Sequence, residues 1–284
     1  MQWGQIKTLF IICFLILDIF LLLQFMEKRN QTELEIIAET TFQDQLAADE
    51  IMVSNIPAEY EKEAYISSKR YKYTAEDRER MKAELSNQEI SIVNEDLVLS
   101  TFRKPIKLIE DFTPEDLIQI VRDNVLYGNE YEYWDYNQEK KAILFFQQYK
   151  GRTINYNQSG LLLLLVNDNG EIVQYSQTLM HEFKEQSEEQ ELVKPINAIE
   201  TLYDRSQLSS GDEITSVQLG YYTFVPLSNG VQVFAPTWII TVNQEKRFFV
   251  NAVEGIYIST DEGTFVDNSM TNIIKEIEAT TGGE

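Results

Sequence analysis

Few side chains in this sequence could carry out chemistry, and those few are widely separated. A single histidine, His181, and a single cysteine, Cys13, exclude both a zinc site built from several such ligands and any disulfide within the chain. Cys13 lies inside a strongly apolar segment, so we interpret it as an ordinary residue of that segment. We expect His181 in a loop that leads into a charged connector at residues 182–191.

Carboxylates are abundant, and two of them held together could perform general acid–base catalysis. The sequence singles out no such pair among its 46 Asp and Glu residues. Residues 167–171 (NDNGE) are the one candidate for a calcium loop, and a plain hairpin turn explains them better. Glycine-rich phosphate loops of the two common patterns are missing as well. We therefore predict no enzyme, no catalytic residue, no cofactor and no metal site.

The charge balance restricts the choice of partner. With 24 basic residues against 46 acidic ones, the formal net charge is −22, which repels nucleic acid. At the same time 43% of the residues are hydrophobic and 12% are aromatic, enough to build a core. An acidic, folded protein without affinity for nucleic acid is the expectation.

An apolar segment near the N-terminus predicts a membrane anchor. Residues 8–26 (TLFIICFLILDIFLLLQFM) contain one charged side chain, and about 19 helical residues cover most of a roughly 30 Å hydrocarbon core. A cleaved signal peptide is the competing interpretation, but the run is long and no small-residue cleavage site follows it. We predict a cytoplasmic tail at 1–6, a transmembrane helix at 7–26 and an extracytoplasmic main domain.

Asp18 is the costly residue of that helix. A carboxylate near the bilayer centre costs about 2.5–3.5 kcal/mol on insertion scales, so such residues usually face another helix or a cavity. Helical spacing places Phe14, Leu22 and Phe25 on the face of Asp18, with Gln24 nearby. We predict that these five residues contact a partner helix in the membrane; a protonated, tolerated Asp18 is the alternative.

Beyond the anchor, the sequence predicts a stalk at 27–56 and two α+β units at 57–185 and 186–284. N-cap patterns open helices after Thr74 and Thr113, the latter running to about Val125, and Pro195 opens another. Alternating stretches then predict antiparallel strands, among them 130–136, 142–149, 161–166, 171–177, 213–225, 231–242 and 247–258. Residues 268–276 are expected to form a closing helix.

Three separated stretches of the chain resemble the YycI (WalI) family of Gram-positive bacteria. They are Trp3 with the following KTLFIICFLILDIFLLLQFMEKRN, then Tyr71-Lys72-Tyr73-Thr74 before a charged helix, and last Pro236-Thr237-Trp238-Ile239-Ile240 leading to Phe249-Val250-Asn251-Ala252. The motifs are short, and their combination carries the likeness over essentially the whole chain. No catalytic residue is carried over by this resemblance.

The resemblance implies a single-pass protein of the cell membrane with two extracytoplasmic α+β units. It also implies association with a YycH-type membrane protein and with WalK (YycG), the sensor histidine kinase of the cell-wall two-component system with WalR. Contacts between transmembrane helices would then modulate the kinase, and the direction of that effect stays open. Two other classes remain as alternatives: an extracytoplasmic ligand-binding sensor or scaffold, and a carboxylate-dependent cell-wall hydrolase.

Overall fold

A single helix of 46 residues, α1 (Trp3–Ala48), opens the chain. The structure, a computed structural model, describes residues 3–57, 62–109, 111–186, 188–226 and 230–281. The helix predicted for the stalk is confirmed as far as Ala48, and it continues the apolar segment without a break. The sequence predicted a membrane crossing over residues 7–26; among the described residues, no helix reaches the length and apolarity that a crossing requires.

Four shorter α-helices follow among the described residues, and a side-chain cap marks the start of three of them. They are α2 (Ala75–Glu84), α3 (Pro114–Asn124), α4 (Pro195–Asp204) and α5 (Glu262–Thr281), with a 3-10 turn at Gly128–Glu130. Thr74 and Thr113 each form a complete capping box with an aspartate three residues on, which confirms both predicted helix starts. The closing helix begins earlier than the predicted residue 268, because the Asp261 side chain accepts the N–H of Thr264 at 2.6 Å.

Fourteen strands make up the β structure of the described residues. Their bounds are β1 (Met52–Val53), β2 (Ile66–Arg70), β3 (Gln88–Val93), β4 (Leu97–Lys107), β5 (Tyr131–Asn137), β6 (Ala142–Tyr149), β7 (Arg152–Asn155), β8 (Leu161–Val166), β9 (Glu171–Thr178), β10 (Met180–Glu185), β11 (Glu213–Pro226), β12 (Val231–Val242), β13 (Lys246–Asn251) and β14 (Tyr257–Ile258).

The strands join in one sheet whose main path runs β10-β2-β12-β11-β7-β6-β8-β9-β4-β3. Most pairs are antiparallel, while β1 and β7 each run parallel to β11. A mixed α+β fold is thereby confirmed. Division into two similar units stays a prediction, since β2, assigned to the first unit, pairs with β12, and β10 extends the sheet beyond β2.

His181 does not lie in a loop, which corrects the sequence prediction. It belongs to β10, where it pairs with Lys69 of β2, and the strand takes up the first residues of the expected charged connector. Side chains in β10 alternate between half-buried and exposed, and the half-buried Phe183 stacks on Tyr149 at 4.6 Å. This alternation was not predicted from the sequence because the exposed positions are charged, which made the segment look like a charged connector.

Buried side chains form several clusters against the sheet. One lies beneath α2 and α3, a second beneath α4 and the end of α1, and a third joins α5 to β5, β6 and β8 and to β12 and β13. In the third cluster, Trp134 and Phe249 stack at 6.0 Å and Val266 of α5 is fully buried. The helix α5 therefore ties together strands that are far apart in sequence.

Candidate interaction site

The apolar part of α1 packs against no other described part of the chain. Its large hydrophobic side chains are 48% to 64% exposed, a degree found nowhere else over so long a stretch of described residues. A contiguous apolar surface of this kind marks a region that another apolar phase or protein covers. These side chains are Phe10, Ile11, Ile12, Phe14, Leu15, Ile16, Leu17, Ile19, Phe20, Leu21, Leu22, Leu23, Phe25 and Met26.

All five residues predicted to contact a partner helix lie on this exposed stretch. Phe14, Asp18, Leu22 and Phe25 share one face, as their spacing predicts, and Cys13 is exposed beside them. Gln24 lies six residues beyond Asp18, about 240° around the helix, and so belongs to a different face. The contact itself stays a prediction.

The other end of α1 is fixed in the core. Phe42 and Leu46, one helical turn apart, are each only 3% exposed and pack in the cluster beneath α4. Phe42 meets the ring of Tyr203 edge-on at 5.7 Å, and the Tyr203 hydroxyl donates to Asp49 at 2.6 Å. About 36 Å of continuous helix separates Asp18 from Phe42. A shift or rotation of the apolar segment would thus be transmitted to the folded part.

Where the third cluster reaches the surface, the carboxylate of Glu262 in α5 binds side chains from two separate places in the chain. Glu262 accepts hydrogen bonds from the indole N–H of Trp134 at 3.0 Å and from the Tyr156 hydroxyl at 3.3 Å. The Arg247 guanidinium lies over the Trp134 ring, 4.5 Å from its centroid, and contacts Asp135 at 3.3 Å. Burial and the neighbouring Asp135 charge raise the pKa of Glu262, although both donors and Arg247 oppose this.

A second carboxylate, Asp77, lies in the first turn of α2, and its surroundings shift its pKa in the other direction. Asp77 accepts from the hydroxyls of Tyr127 at 2.6 Å and Tyr71 at 2.7 Å, and from the backbone N–H and hydroxyl of Thr74 at 2.7 and 2.8 Å. Burial would raise the pKa of Asp77, but these four donors outweigh it and lower the pKa. The site joins the cap of α2 to the residues that follow α3.

Asp135 and Glu262 are a carboxylate pair that the sequence did not single out. They border a cavity of about 290 Å³ together with Arg247 and Tyr156. Their contacts serve to hold α5 on the sheet, because Glu262 is occupied by two donors and Asp135 by Arg247. Among the described residues, no cluster of His, Cys, Asp and Glu could hold a metal ion. The cap formed by Asp261 and Thr264 is the sequence signal that could have located Glu262 at a helix start.

The hairpin interpretation of residues 167–171 is confirmed. The Asn167 side-chain oxygen accepts the backbone N–H groups of Asn169 and Glu171 at 2.9 and 3.0 Å, and Gly170 has a φ of +71°. The Asp168 carboxylate pairs with Lys141. These side chains are used in making the turn between β8 and β9.

The described residues thus combine an acidic α+β fold with an exposed apolar helix and two carboxylates bound in structural contacts. The family described as YycI protein matches residues 31–253, and the chain belongs to this family. Members are regulators of the WalK/WalR two-component system, generally associated with the membrane, and the family is regulatory rather than enzymatic. Membership associates the chain with the WalK system and with YycH.

Comparison with solved structures finds distant folds. An uncharacterized protein from Eubacterium rectale ATCC 33656 aligns with a TM-score of 0.44 and 12% identity, over 74% of this chain and 89% of that one. The Bacillus megaterium YpeB C-terminal domain aligns with a TM-score of 0.39 and 11% identity, over 67% of this chain and 97% of that one. No curated protein matches.

Proposed function

We propose that this chain is a single-pass membrane regulator that sets the activity of WalK through helix contacts in the membrane and domain contacts outside the cell. In this proposal residues 1–6 stay in the cytoplasm, residues 7–26 cross the bilayer, and a YycH-type protein binds the extracytoplasmic part. The observation that carries it is the continuity of α1, which runs from the exposed apolar side chains to the buried Phe42 and Leu46.

A small free-energy difference is enough for such regulation. A coupling of about 1–3 kcal/mol shifts a two-state equilibrium roughly 5- to 150-fold. One hydrogen bond from Asp18 to a partner helix would supply part or all of that free energy, because polar contacts between membrane helices contribute about 0.6–2 kcal/mol. No catalytic step is required of the regulator.

The test of the membrane contact is Asp18→Leu in the full chain. Removing the carboxylate should change WalK-dependent transcription while membrane insertion is retained or improved. Ile16→Leu, on the opposite face, is the matched control and should leave transcription unchanged. Carbonate extraction of membranes measures insertion, and cross-linking from position 18 in living cells identifies the neighbouring helix. Unchanged transcription in Asp18→Leu would rule out a role for Asp18, and release of the chain from washed membranes would rule out the anchor.

The extracytoplasmic contact is tested separately. A fragment of residues 33–284 should bind the ectodomain of a YycH-type protein with micromolar affinity or better, measured by calorimetry. Binding of a cell-wall fragment alone, with thermal stabilisation that saturates, would favour a ligand sensor instead. Hydrolysis of peptidoglycan by the same fragment, lost in Glu262→Gln, would favour the hydrolase.

A further inference from the structure

The strand β3 ends the main path of the sheet and leaves one edge open. It pairs with β4 in unbroken register from Gln88↔Phe102 to Val93↔Leu97, and no other described strand pairs with it. Exposed sheet edges are usually protected by a bulge, a proline or inward charges, since they present unpaired backbone groups. Within residues 88–93 the sequence is QEISIV, with neither proline nor bulge.

On one face of this edge, a groove of about 740 Å³ separates β3 from α2. Its lining combines an apolar floor with a charged rim. The floor includes Met81 and Leu85, both buried, and the partly buried Ile90 and Ile92 of β3 itself. A strand added beside β3 would lie between a strand and a helix, with every second side chain directed at this floor.

On the opposite face of the same edge, a second groove of about 390 Å³ separates the sheet from α5. Leu99 and Leu165 of the sheet face Met270, Ile273 and Ile274 of the helix across it. Ile274 is 55% exposed, although it lies on the helix side that faces the sheet. The remaining side chains of an added strand would enter this second groove, so both faces of the strand would be recognised.

The rim of the first groove is positive in a chain of net charge −22. Arg78, Lys82 and Arg103 line it, against Glu79 and Glu89. Glu79 pairs with Lys82 at 2.8 Å and Glu89 with Arg103 at 3.6 Å, so these two pairs cancel and Arg78 gives the rim its net positive charge. The rim is therefore complementary to a carboxylate on the incoming strand, an unusual preference for so acidic a protein.

We propose that the free edge of β3 binds an extended segment of the partner ectodomain, with an acidic side chain towards α2 and apolar side chains towards α5. This inference rests on the proposed function, because it requires a protein partner outside the cell. A second copy of this chain is the poorer occupant, since two-fold pairing of β3 with β3 brings two positive rims together.

Hydrogen–deuterium exchange of the full chain in detergent micelles tests the location. Adding the YycH-type ectodomain should slow exchange within residues 88–93, where new ladder bonds form, and in the α2 segment above them. Binding without any protection of residues 88–93 would overturn the assignment of the β3 edge as the binding site and leave the proposed function intact. Absence of binding would overturn the docking on which both rest. If residues 88–93 become protected as the concentration of this chain alone is raised, the occupant of the edge is a second copy of the chain and the proposal is wrong.

Two pairs of variants test the chemistry of the grooves. Arg78→Glu should weaken partner binding about ten-fold, and Ile274→Asp by a similar factor, as measured by calorimetry. Lys104→Glu and Thr271→Asp are the matched controls, because both residues are exposed, lie close by and line neither groove. Equal affinity for Arg78→Glu and Lys104→Glu would overturn the acidic preference, and equal unfolding temperatures of all four variants ensure that folding is not the cause.

Discussion

Two carboxylates in this chain are bound mainly by aromatic donors, and their pKa values move in opposite directions. Asp77 accepts four hydrogen bonds, all between 2.6 and 2.8 Å, and its pKa is lowered. Glu262 accepts two, at 3.0 and 3.3 Å, and its pKa is raised by burial and by Asp135. Short donated bonds favour the charged form of Asp77, whereas burial and the neighbouring Asp135 charge favour the neutral form of Glu262.

The difference matches what each carboxylate does for the fold. Asp77 closes the cap of α2 and binds Tyr127 from the segment after α3, so several groups depend on its negative charge. Glu262 holds the start of α5 on Trp134 and Tyr156 through two longer hydrogen bonds. We therefore expect the first site to be the more sensitive to substitution.

The largest effect is expected for Asp77→Ala. The substitution leaves two tyrosine hydroxyls and the Thr74 N–H without their acceptor, and should cost about 3 kcal/mol of unfolding free energy. Glu262→Ala leaves only the Trp134 and Tyr156 donors without an acceptor, at a half-buried site, and should cost about 1 kcal/mol of unfolding free energy. Urea unfolding of both variants measures the comparison, and equal losses would contradict it.

A smaller difference is expected between two tyrosine hydroxyls. Tyr127→Phe removes a 2.6 Å bond to a charged carboxylate and should cost about 1.5 kcal/mol, whereas Tyr156→Phe removes a 3.3 Å bond and should cost about 0.5 kcal/mol. Tyr136→Phe serves as control, because that hydroxyl makes no hydrogen bond among the described residues. If Tyr156→Phe lowers the unfolding free energy more than Tyr127→Phe does, the length of these hydrogen bonds does not predict their contribution to stability.

The smallest effect is the pH dependence, and its sign separates the two sites. The lowered pKa of Asp77 gives stability above its ordinary value of 3.8, lost as the pH falls through the folded pKa. The destabilisation by Asp77→Asn should accordingly shrink in acid. The raised pKa of Glu262 favours the protonated folded form, so its contribution declines as the pH rises from 4.5 through the folded pKa.

Glu262→Gln should therefore gain stability relative to the unsubstituted chain as the pH rises from 4.5 through the folded pKa of Glu262. The measurement is thermal unfolding of each variant and of the unsubstituted chain at pH values from 3 to 8. The difference between the two is free of the contribution of the many other acids, because both proteins share them. The same slope for the two variants would show that the donors do not control the charge of either carboxylate.

Local sequence signals predicted much of the secondary structure. The helices after Thr74 and Thr113 were confirmed because a capping box depends on residues only three positions apart. Strands predicted at 142–149, 161–166 and 231–242 coincide with β6, β8 and β12, since hydrophobic runs between turn residues also act locally. The start of α5 was missed because its cap at Asp261 precedes the apolar part of the helix.

What the sequence by itself determined is the local part of this protein: the apolar stretch of α1, the caps of α2 and α3, the turn at residues 167–171 and the period of most strands. Only the tertiary structure decided that β2 lies between β10 and β12, that Glu262 meets Trp134, and that β3 leaves an edge open between two helices. The physical reason is the range of the forces. Caps and periodicity act between near neighbours in the chain, whereas the pairing of β2 with β12 joins residues 168 positions apart, and the pKa of Glu262 depends on Trp134, 128 positions away.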